Sequence, residues 1–203
     1  PTLSSAASDV YKRQEESLNG AIIAMAQNFV GSNNVHLLQP NGQFGTRILG
    51  GKDAGSPRYL HTVLSDITHK IFIQHDENIL EYMDDDGLPV EPRYYAPIIP
   101  FLLCNGAQGI GTGYSTKIPS YNPKTIVTYL KNKLLDKDLP VLKPYFHGFN
   151  GSIINIENGG ILTKGTYEII NYKTILISEL PIGAWMDNYC LLYTSPSPRD
   201  NRT

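Results

Sequence analysis

Cysteine and excess positive charge are both scarce in this sequence of 203 residues. The two cysteines, Cys104 and Cys190, provide neither the spacing of metal ligands nor a disulfide framework, which favours an intracellular, reducing location. Lysine and arginine number 17 against 19 aspartates and glutamates, so the net charge is −2. A highly anionic partner would therefore have to be met by a local concentration of basic side chains.

Long apolar runs are also missing from the chain. No run approaches the ~20 apolar residues of a membrane-spanning helix, so we expect no membrane partner. Hydrophobic residues make up 41% of the chain and charged residues 18%, which is typical of a globular protein. The length allows one core, or one domain plus part of another.

The two ends of the chain differ in texture from its middle. The first stretch lacks apolar periodicity, and the last turns abruptly to serine, proline and threonine; neither resembles a targeting signal. Ser4–Gln14 and Cys190–Asp200 each match the translation of one member of a common pair of transposase-based sequencing adaptors. We therefore interpret residues 1–14 and 190–203 as translated adaptor rather than natural tails, and expect them to contribute little to the core. Residues 15–189 would then be an internal fragment of a longer protein.

The middle of the chain opens with a predicted helix from Glu15 to Val30, because its apolar residues recur at helical spacing, and Gly31 ends it. Glycines then break residues 42–55 into loops and short extended pieces. A second helix is predicted, with Ser56 as N-cap and Pro57 at its first position. The residues of its apolar stripe are Leu60, Val63, Leu64, Ile67 and Ile71.

Turn and strand signals dominate the rest of the chain. Asp84–Gly87 predicts a hairpin turn between two short strands, and Asn105–Gly113 predicts a glycine-rich loop. Asn122 and Pro123 predict the start of a further helix. After Pro140, β-branched runs separated by glycine and asparagine predict strands.

This order of elements predicts an α+β fold with two domains. Helix, glycine-broken segment, helix and hairpin together indicate a winged-helix domain over residues 15–121. The later change to β-branched runs leads us to place a domain boundary near Tyr121, with a second, partial domain over residues 122–189.

Arg58 and Tyr59 would lie in the first turn of the second helix. On an ordinary surface, Tyr59 would only flank the apolar stripe and Arg58 would be solvated. A helix N-terminus, however, presents unpaired N–H groups and the positive end of the helix dipole, which favour a phosphate and a developing phenolate. A free phenol, with a pKa near ~10, is otherwise a poor nucleophile. The two residues are therefore a candidate nucleophile and its phosphate-binding neighbour.

Two long stretches carry a family resemblance. Gly31–Tyr59, which contains GQFGTR and SPRY, and Glu91–Pro119, which contains NGAQGIGTG, resemble the DNA-gate region of eukaryotic and viral type II DNA topoisomerases. The resemblance covers residues 15–189 and weakens after about Lys133, where ISELP at Ile177–Pro181 still fits the family. It implies that the winged-helix domain is followed by the start of an α/β tower domain.

The resemblance also implies roles for individual residues. Tyr59 would attack a DNA phosphodiester and become linked to the 5′-phosphate, and Arg58 would stabilise the charged transition state. Ile110 would wedge between base pairs and help to bend the DNA; on the residues alone it could equally be a buried loop residue. The remaining positions that match DNA-contacting ones are Ser17, Gln43, Arg47 and Lys52.

Two of these DNA contacts have structural alternatives. Arg47 could be a surface charge, and Gln43 could be a hydrogen-bonding residue within its loop. The sequence also departs from the family at Gln108, where many relatives carry glutamate, and before Glu16, where the Tyr-His-His-Gly-Glu motif of the family is replaced.

Two other features carry no site. The glycine spacing in Asn105–Gly113 resembles a nucleotide-binding loop, but it is followed by prolines rather than a helix and has no Gly-Lys-Ser/Thr. Asp84–Asp86 are consecutive and point in different directions, which predicts a solvated turn rather than a metal site. We assign no metal ligand to this chain.

The resemblance implies a parent enzyme that is an ATP-dependent, homodimeric type II topoisomerase acting on double-stranded DNA. Mg²⁺ and ATP would bind to a TOPRIM domain and an ATPase domain outside this chain, so the isolated fragment is predicted to be inactive. The parent would act in the nucleus, or in the cytoplasm of an infected cell if it is viral. The alternatives from other classes are a noncatalytic winged-helix DNA-binding module and a nucleotide-binding enzyme.

Overall fold

Helices and short strands alternate along the parts of the chain that the structure, a computed structural model, describes. These are the backbone of residues 2–156 and 160–194, and the side chains of residues 14–156 and 160–192. The α-helices are α1 (Thr2–Ala26), α2 (Asp66–Ile71), α3 (Phe101–Asn105), α4 (Pro123–Leu134) and α5 (Met186–Thr194). Short 3₁₀ segments lie at Pro57–Tyr59 and Gln74–Ile79. Among the described helices, none combines the length and apolar character needed to cross a membrane.

Each described strand pairs antiparallel with its neighbour in sequence, which gives separate two-stranded hairpins. The strands are β1 (Tyr82–Asp85) with β2 (Leu88–Pro92), β3 (Ala107–Gly111) with β4 (Tyr114–Ile118), β5 (Ser152–Asn155) with β6 (Ile161–Lys164), and β7 (Thr166–Asn171) with β8 (Thr174–Glu179). The predicted α+β class is confirmed. The division into a winged-helix domain over 15–121 and a partial tower over 122–189 stays a prediction.

α1 ends at Ala26, earlier than the predicted end at Val30. The side-chain amide of Asn33 accounts for this stop, because it donates to the carbonyl oxygens of Ala24 at 2.6 Å and Gln27 at 2.9 Å. Carbonyls at the end of a helix have no partner within it, so a side chain folded back onto them stabilises the termination. Gly31, the predicted stop, lies in the turn that follows.

Both predicted adaptor segments contain helix. α1 begins at Thr2, and α5 continues past Cys190 to Thr194. Leu191 and Leu192 are exposed. The side chains of residues 1–13 and all of residues 195–203 lie outside the described residues. The expectation that both ends contribute little to the core therefore stays a prediction.

The second predicted helix is wrong over most of its length. Pro57–Tyr59 forms one 3₁₀ turn, and α2 begins only at Asp66. Of the predicted apolar stripe, Ile71 is buried, whereas Val63 and Leu64 are exposed.

Long-range backbone pairing explains this difference. Residues 37–41 run antiparallel to residues 61–65 and are joined to them by isolated bridges. The N–H of Gln39 donates to the carbonyl of Val63 at 2.8 Å. Backbone groups that would form a helix are therefore bonded to another part of the chain, which overrides the helical spacing of the side chains.

Two predictions that rest on local signals are confirmed. β1 and β2 form the hairpin expected around Asp84–Gly87, with the turn closed by a bond from the Gly87 N–H to the Asp84 carboxylate at 2.8 Å. α4 follows Asn122, whose side-chain oxygen accepts the N–H of Lys124 at 2.9 Å. The predicted change to strands after Pro140 is also confirmed by β5 to β8.

Few apolar side chains are buried in the described chain. The buried apolar residues are Ala26, Phe44, Ile71, Cys104 and Ile126. They lie on α1, in residues 42–55, and on α2, α3 and α4, so little apolar surface is buried on any one element. Burial raises the pKa of the Cys104 thiol, which keeps it protonated and unreactive at neutral pH.

Asn34 ties distant segments together around this core. Its side-chain nitrogen donates to the carbonyl of Cys104 at 2.8 Å and to that of Tyr145 at 2.9 Å, while its oxygen accepts the N–H of His147 at 2.7 Å. One amide thus satisfies backbone groups of α3 and of the segment after α4.

We expect Asn34→Ala to destabilise the fold by about 1–3 kcal/mol, because partly buried backbone groups would lose their partners. Denaturant unfolding would measure this free energy. The matched control is Asn78→Ala, which removes an exposed amide that donates to the His75 carbonyl at 3.3 Å. Equal effects of the two substitutions would contradict the assigned role of Asn34.

Candidate functional site

Tyr59 is displayed on the surface by the 3₁₀ turn Pro57–Tyr59. Its N–H donates to the carbonyl of Ser56 at 2.9 Å, which closes the turn, and its side chain is 70% exposed. Ser56 makes no side-chain capping bond. Because three residues in one turn provide no aligned row of peptide dipoles, the predicted assistance from a helix N-terminus is wrong.

Arg58 supplies positive charge beside the phenol instead. Its guanidinium carbon lies 5.1 Å from the centre of the Tyr59 ring, within the range of a cation–π contact. Both side chains are exposed. A phosphate that reached the Tyr59 hydroxyl would therefore also meet a guanidinium, whose N–H donors match phosphate oxygens.

An open cleft adjoins Arg58. Its lining residues are Glu15, Glu16 and Asn19 of α1, with Ser56, Pro57 and Arg58. The sequence did not point to these carboxylates, since no local pattern connects α1 with the turn. Within the described parts of the chain, no group of three or more His, Cys, Asp or Glu residues is placed to hold a metal ion.

The loop of residues 42–55 is held against the end of α1. The side-chain amide of Gln27 donates to the carbonyls of Phe44 at 3.0 Å and Gly51 at 3.3 Å. A Cβ on Gly51 would lie 2.4 Å from the Gln27 nitrogen, and the φ of Gly51 is +84°. Only glycine combines this backbone conformation with so close an approach.

Asp53 organises the same loop. Its carboxylate accepts the backbone N–H of Thr46 at 2.8 Å, the Thr46 hydroxyl at 2.6 Å and the side-chain nitrogen of Gln43 at 3.3 Å. The Thr46 hydroxyl, followed by the Thr46 N–H, lowers the pKa of the Asp53 carboxyl. Gln43 thus has a structural partner in its loop; its predicted DNA contact stays a prediction.

Arg47 is engaged within the chain. One terminal nitrogen donates to the Glu179 carboxylate at 2.9 Å, and the other donates to the Leu180 carbonyl at 2.7 Å. Its side chain is 25% exposed, so the alternative of a surface charge stays open, but the charge is paired rather than freely solvated. A guanidinium has five N–H donors, so these two bonds leave others for a phosphate. The predicted DNA contact of Arg47 stays a prediction.

Ser17 and Lys52 are both exposed, Ser17 on α1 and Lys52 in the loop. The structure therefore leaves both side chains accessible to a ligand. Their predicted DNA contacts stay predictions.

Ile110 lies on β3, opposite Ser115 of β4, rather than in the predicted glycine-rich loop. Antiparallel pairing of Ala107–Gly111 with Tyr114–Ile118 uses the backbone groups that a loop would leave open. The Ile110 side chain is 84% exposed, so the alternative of a buried loop residue is wrong. Its expected placement on the same face as Tyr59 stays a prediction.

A sequence model of one protein family, that of the DNA gyrase/topoisomerase IV A subunits, matches residues 4–195. The chain belongs to this family. The chain is also similar to DNA topoisomerase 2 of Acanthamoeba polyphaga mimivirus, with 49% identity over 179 residues, which are 88% of this chain and 14% of that protein. It is 48% identical to DNA topoisomerase 2 of Pisum sativum over 180 residues, 88% of this chain and 12% of that protein.

The chain is also similar in fold to a solved structure. The crystal structure of the Plasmodium falciparum topoisomerase II DNA-binding, cleavage and re-ligation domain aligns with a TM-score of 0.85 and 44% identity, over 88% of this chain and 24% of that chain. The predicted family resemblance is confirmed. The chain spans 12% to 14% of the length of the curated relatives named above.

Two residues that contact the loop were not among the predicted site residues of this family member. Glu179 binds Arg47, and Trp185 packs against Gly50. The sequence signal near them was the family-like ISELP, Ile177–Pro181, which does not reveal a contact with a loop so far away in the chain.

Acidification should loosen the loop of residues 42–55. Because folding lowers the pKa of Asp53, its stabilisation is complete above the ordinary carboxyl pKa of about 3.9 and is lost as the pH falls through the lowered value. The amide resonance of Thr46, followed by NMR, would report this titration. Asp53→Asn should remove it, whereas Asp85→Asn on β1 should not. A Thr46 resonance that titrates unchanged in Asp53→Asn would contradict the assignment.

Proposed function

We propose that this chain is the tyrosine-bearing segment of an ATP-dependent type II DNA topoisomerase. Such an enzyme opens both strands of one duplex through 5′-phosphotyrosyl links and passes a second duplex through the gap. The observation that carries the proposal is the exposed Tyr59 with the Arg58 guanidinium over its ring. Membership of the gyrase and topoisomerase IV family, and the names of the relatives, support DNA as the substrate.

The chemistry is a transesterification at phosphorus. The Tyr59 hydroxyl loses its proton to water, its oxygen bonds to the phosphorus, and the bond to the 3′-oxygen breaks as that oxygen takes up a proton. Arg58 stabilises the negative charge that builds on the phosphate oxygens. Since one phosphodiester replaces another, the reverse exchange reseals the strand without an external energy source.

The exposed residues around this turn would hold the DNA. Ser17 and Lys52 are accessible phosphate or sugar contacts, and Gln43 and Arg47 can add contacts with the donors that their internal partners leave open. Ile110 would enter between base pairs, because an exposed apolar side chain gains contact with bases when it unstacks them.

The remaining requirements belong to other parts of the parent protein. Among the described residues, no group of three or more His, Cys, Asp or Glu side chains is placed to hold a metal ion. Mg²⁺ and ATP would be bound by the TOPRIM and ATPase domains, and the second strand would be cut by the same residues of a homodimer mate. The parent would work in a nucleus or in infected-cell cytoplasm.

We expect Tyr59→Phe in the full-length parent to abolish covalent adducts with DNA, because only the attacking oxygen is removed. DNA affinity should stay within about threefold, since phosphate contacts dominate it. Denaturing gels with Mg²⁺ would detect protein-linked DNA. This chain by itself should form no adduct.

Tyr172→Phe is the matched control, because Tyr172 is also exposed and has the Lys173 ammonium 5.2 Å from its ring centre. It should leave adduct formation unchanged. Arg58→Ala should slow cleavage by about 10²–10³-fold and weaken binding much less. Adducts formed by the Tyr59→Phe parent would contradict the role of Tyr59, whereas a wild-type parent that forms none would support the noncatalytic DNA-binding alternative.

We expect Ile110→Ala to reduce the bend that the parent imposes on a duplex, because alanine is too short to separate stacked bases. Fluorescence energy transfer between the ends of a labelled duplex would measure the bend. Leu88→Ala is the control, since Leu88 is an exposed apolar residue of another hairpin. An unchanged bend with Ile110→Ala would exclude the wedge role.

A further inference from the structure

Glu179, at the end of β8, is a nearly buried carboxylate with partners from two distant segments. Its side chain is 7% exposed, against 25% for that of Arg47. One oxygen accepts from Arg47 at 2.9 Å, and the other accepts the N–H of Asn150 at 2.9 Å. Both oxygens are therefore bonded, and the Arg47 side chain is fixed from two sides because it also donates to Leu180.

Trp185 holds the neighbouring part of the same loop. A Cβ on Gly50 would lie 2.3 Å from the indole ring, and the φ of Gly50 is +64°. The indole also meets the Phe29 ring edge-on, with centroids 5.9 Å apart. Two residues beyond it, the N–H of Asp187 donates to the Ile48 carbonyl at 3.1 Å. Residues 46–50 are therefore held by Glu179 at the end of β8 and by the segment that follows this strand.

The loop of residues 42–55 contacts the chain on both sides of the Pro57–Tyr59 turn. Lys52 lies in the same loop, and the N–H of Gly55 donates to the Gln43 carbonyl at 2.8 Å. Leu60, the residue after Tyr59, packs against the loop: a Cβ on Gly42 would lie 3.1 Å from its side chain. A displacement at residues 46–50 would therefore reach both sides of the Pro57–Tyr59 turn.

We propose that Glu179 and Trp185 form a clamp, defined by their contacts with Arg47 and Gly50, that positions Tyr59 and Lys52 for cleavage. Glu179 is a positioning residue in this clamp, because it acts through Arg47 and the loop rather than on the DNA. The inference rests on the proposed function for its catalytic consequence. The effect of the clamp on the mobility of the loop can be measured separately from cleavage.

The sequence offers a matched control for the ion pair. Arg93 and Glu81 form the other arginine–glutamate pair among the described residues, at 3.4 Å, with both side chains more than half exposed. An exposed pair contributes little, whereas removing one member of a shielded pair leaves its partner without compensation. Glu179→Gln and Glu81→Gln therefore make the same chemical change with and without the clamp.

Hydrogen exchange of the full-length parent tests the clamp without reference to activity. Glu179→Gln should accelerate exchange in peptides covering residues 45–55, while Glu81→Gln should not, and the melting temperatures should show that both variants remain folded. Unchanged exchange in the loop of Glu179→Gln would overturn the clamp, whether or not the parent cleaves DNA.

Covalent adduct formation by the parent tests the positioning role. Glu179→Gln should slow adduct formation at saturating DNA by about 10- to 100-fold, because small displacements of reacting groups are costly. The DNA concentration for half-saturation should change by less than about threefold, since phosphate contacts remain. Equal losses in binding and cleavage would indicate a merely structural role and would overturn the assignment.

Arg47→Gln and the double variant separate positioning from direct DNA contact. If Arg47 acts through the clamp, the single variants and Arg47→Gln/Glu179→Gln should be equally slow, because each breaks the same interaction. If Arg47 instead acts only as a phosphate contact, Arg47→Gln should lower the salt dependence of binding by about one counterion while Glu179→Gln leaves adduct formation unchanged, and that pair of results would overturn the proposal. A wild-type parent without adducts would refute the proposed function, while the exchange result would still decide the clamp.

Discussion

The close approach of residues 42–55 to their neighbours is the constraint on which the candidate site depends. Gly50 meets the Trp185 indole at a distance that leaves no room for a side chain, and Gly51, with a φ of +84°, lies against the Gln27 amide. These contacts join the end of α1 and the start of α5 to one loop. Close-packed protein interiors transmit displacements through their contacts. The position of the exposed Tyr59 turn therefore depends on residues that are remote in sequence.

Polar contacts rather than a large apolar core order this chain. Asn34 bonds to backbone groups of two distant segments, Asp53 closes the loop of residues 42–55, and Glu179 joins Arg47 to Asn150. Asn34 and Glu179 are shielded and would be costly to leave without partners, so each specifies one arrangement of the chain. Such specificity suits a site whose reacting groups must be placed accurately while they remain exposed to a large substrate.

Local sequence signals correctly predicted those elements whose stabilising hydrogen bonds are made within a few residues. The Asn122 cap and the turn from Asp84 to Gly87 contain their own partners, and the predicted α4 and first hairpin are both present. The helix expected after Ser56 failed because residues 61–65 bond to residues 37–41. Ile110 was placed in a loop because glycines disfavour strands, yet cross-strand pairing with Ser115 extends the hairpin to it.

The sequence by itself determined the family, the α+β class and the identity of the candidate nucleophile, because the motifs around Arg58 and Tyr59 are contiguous. Only the tertiary structure decided that positive charge reaches the phenol from Arg58 rather than from a helix end. It also decided that Arg47 is bound by Glu179, 132 residues away. The physical reason is that the partner of a charged side chain is set when distant segments of the chain come together. Neither periodicity nor local spacing in the sequence shows which segments those will be.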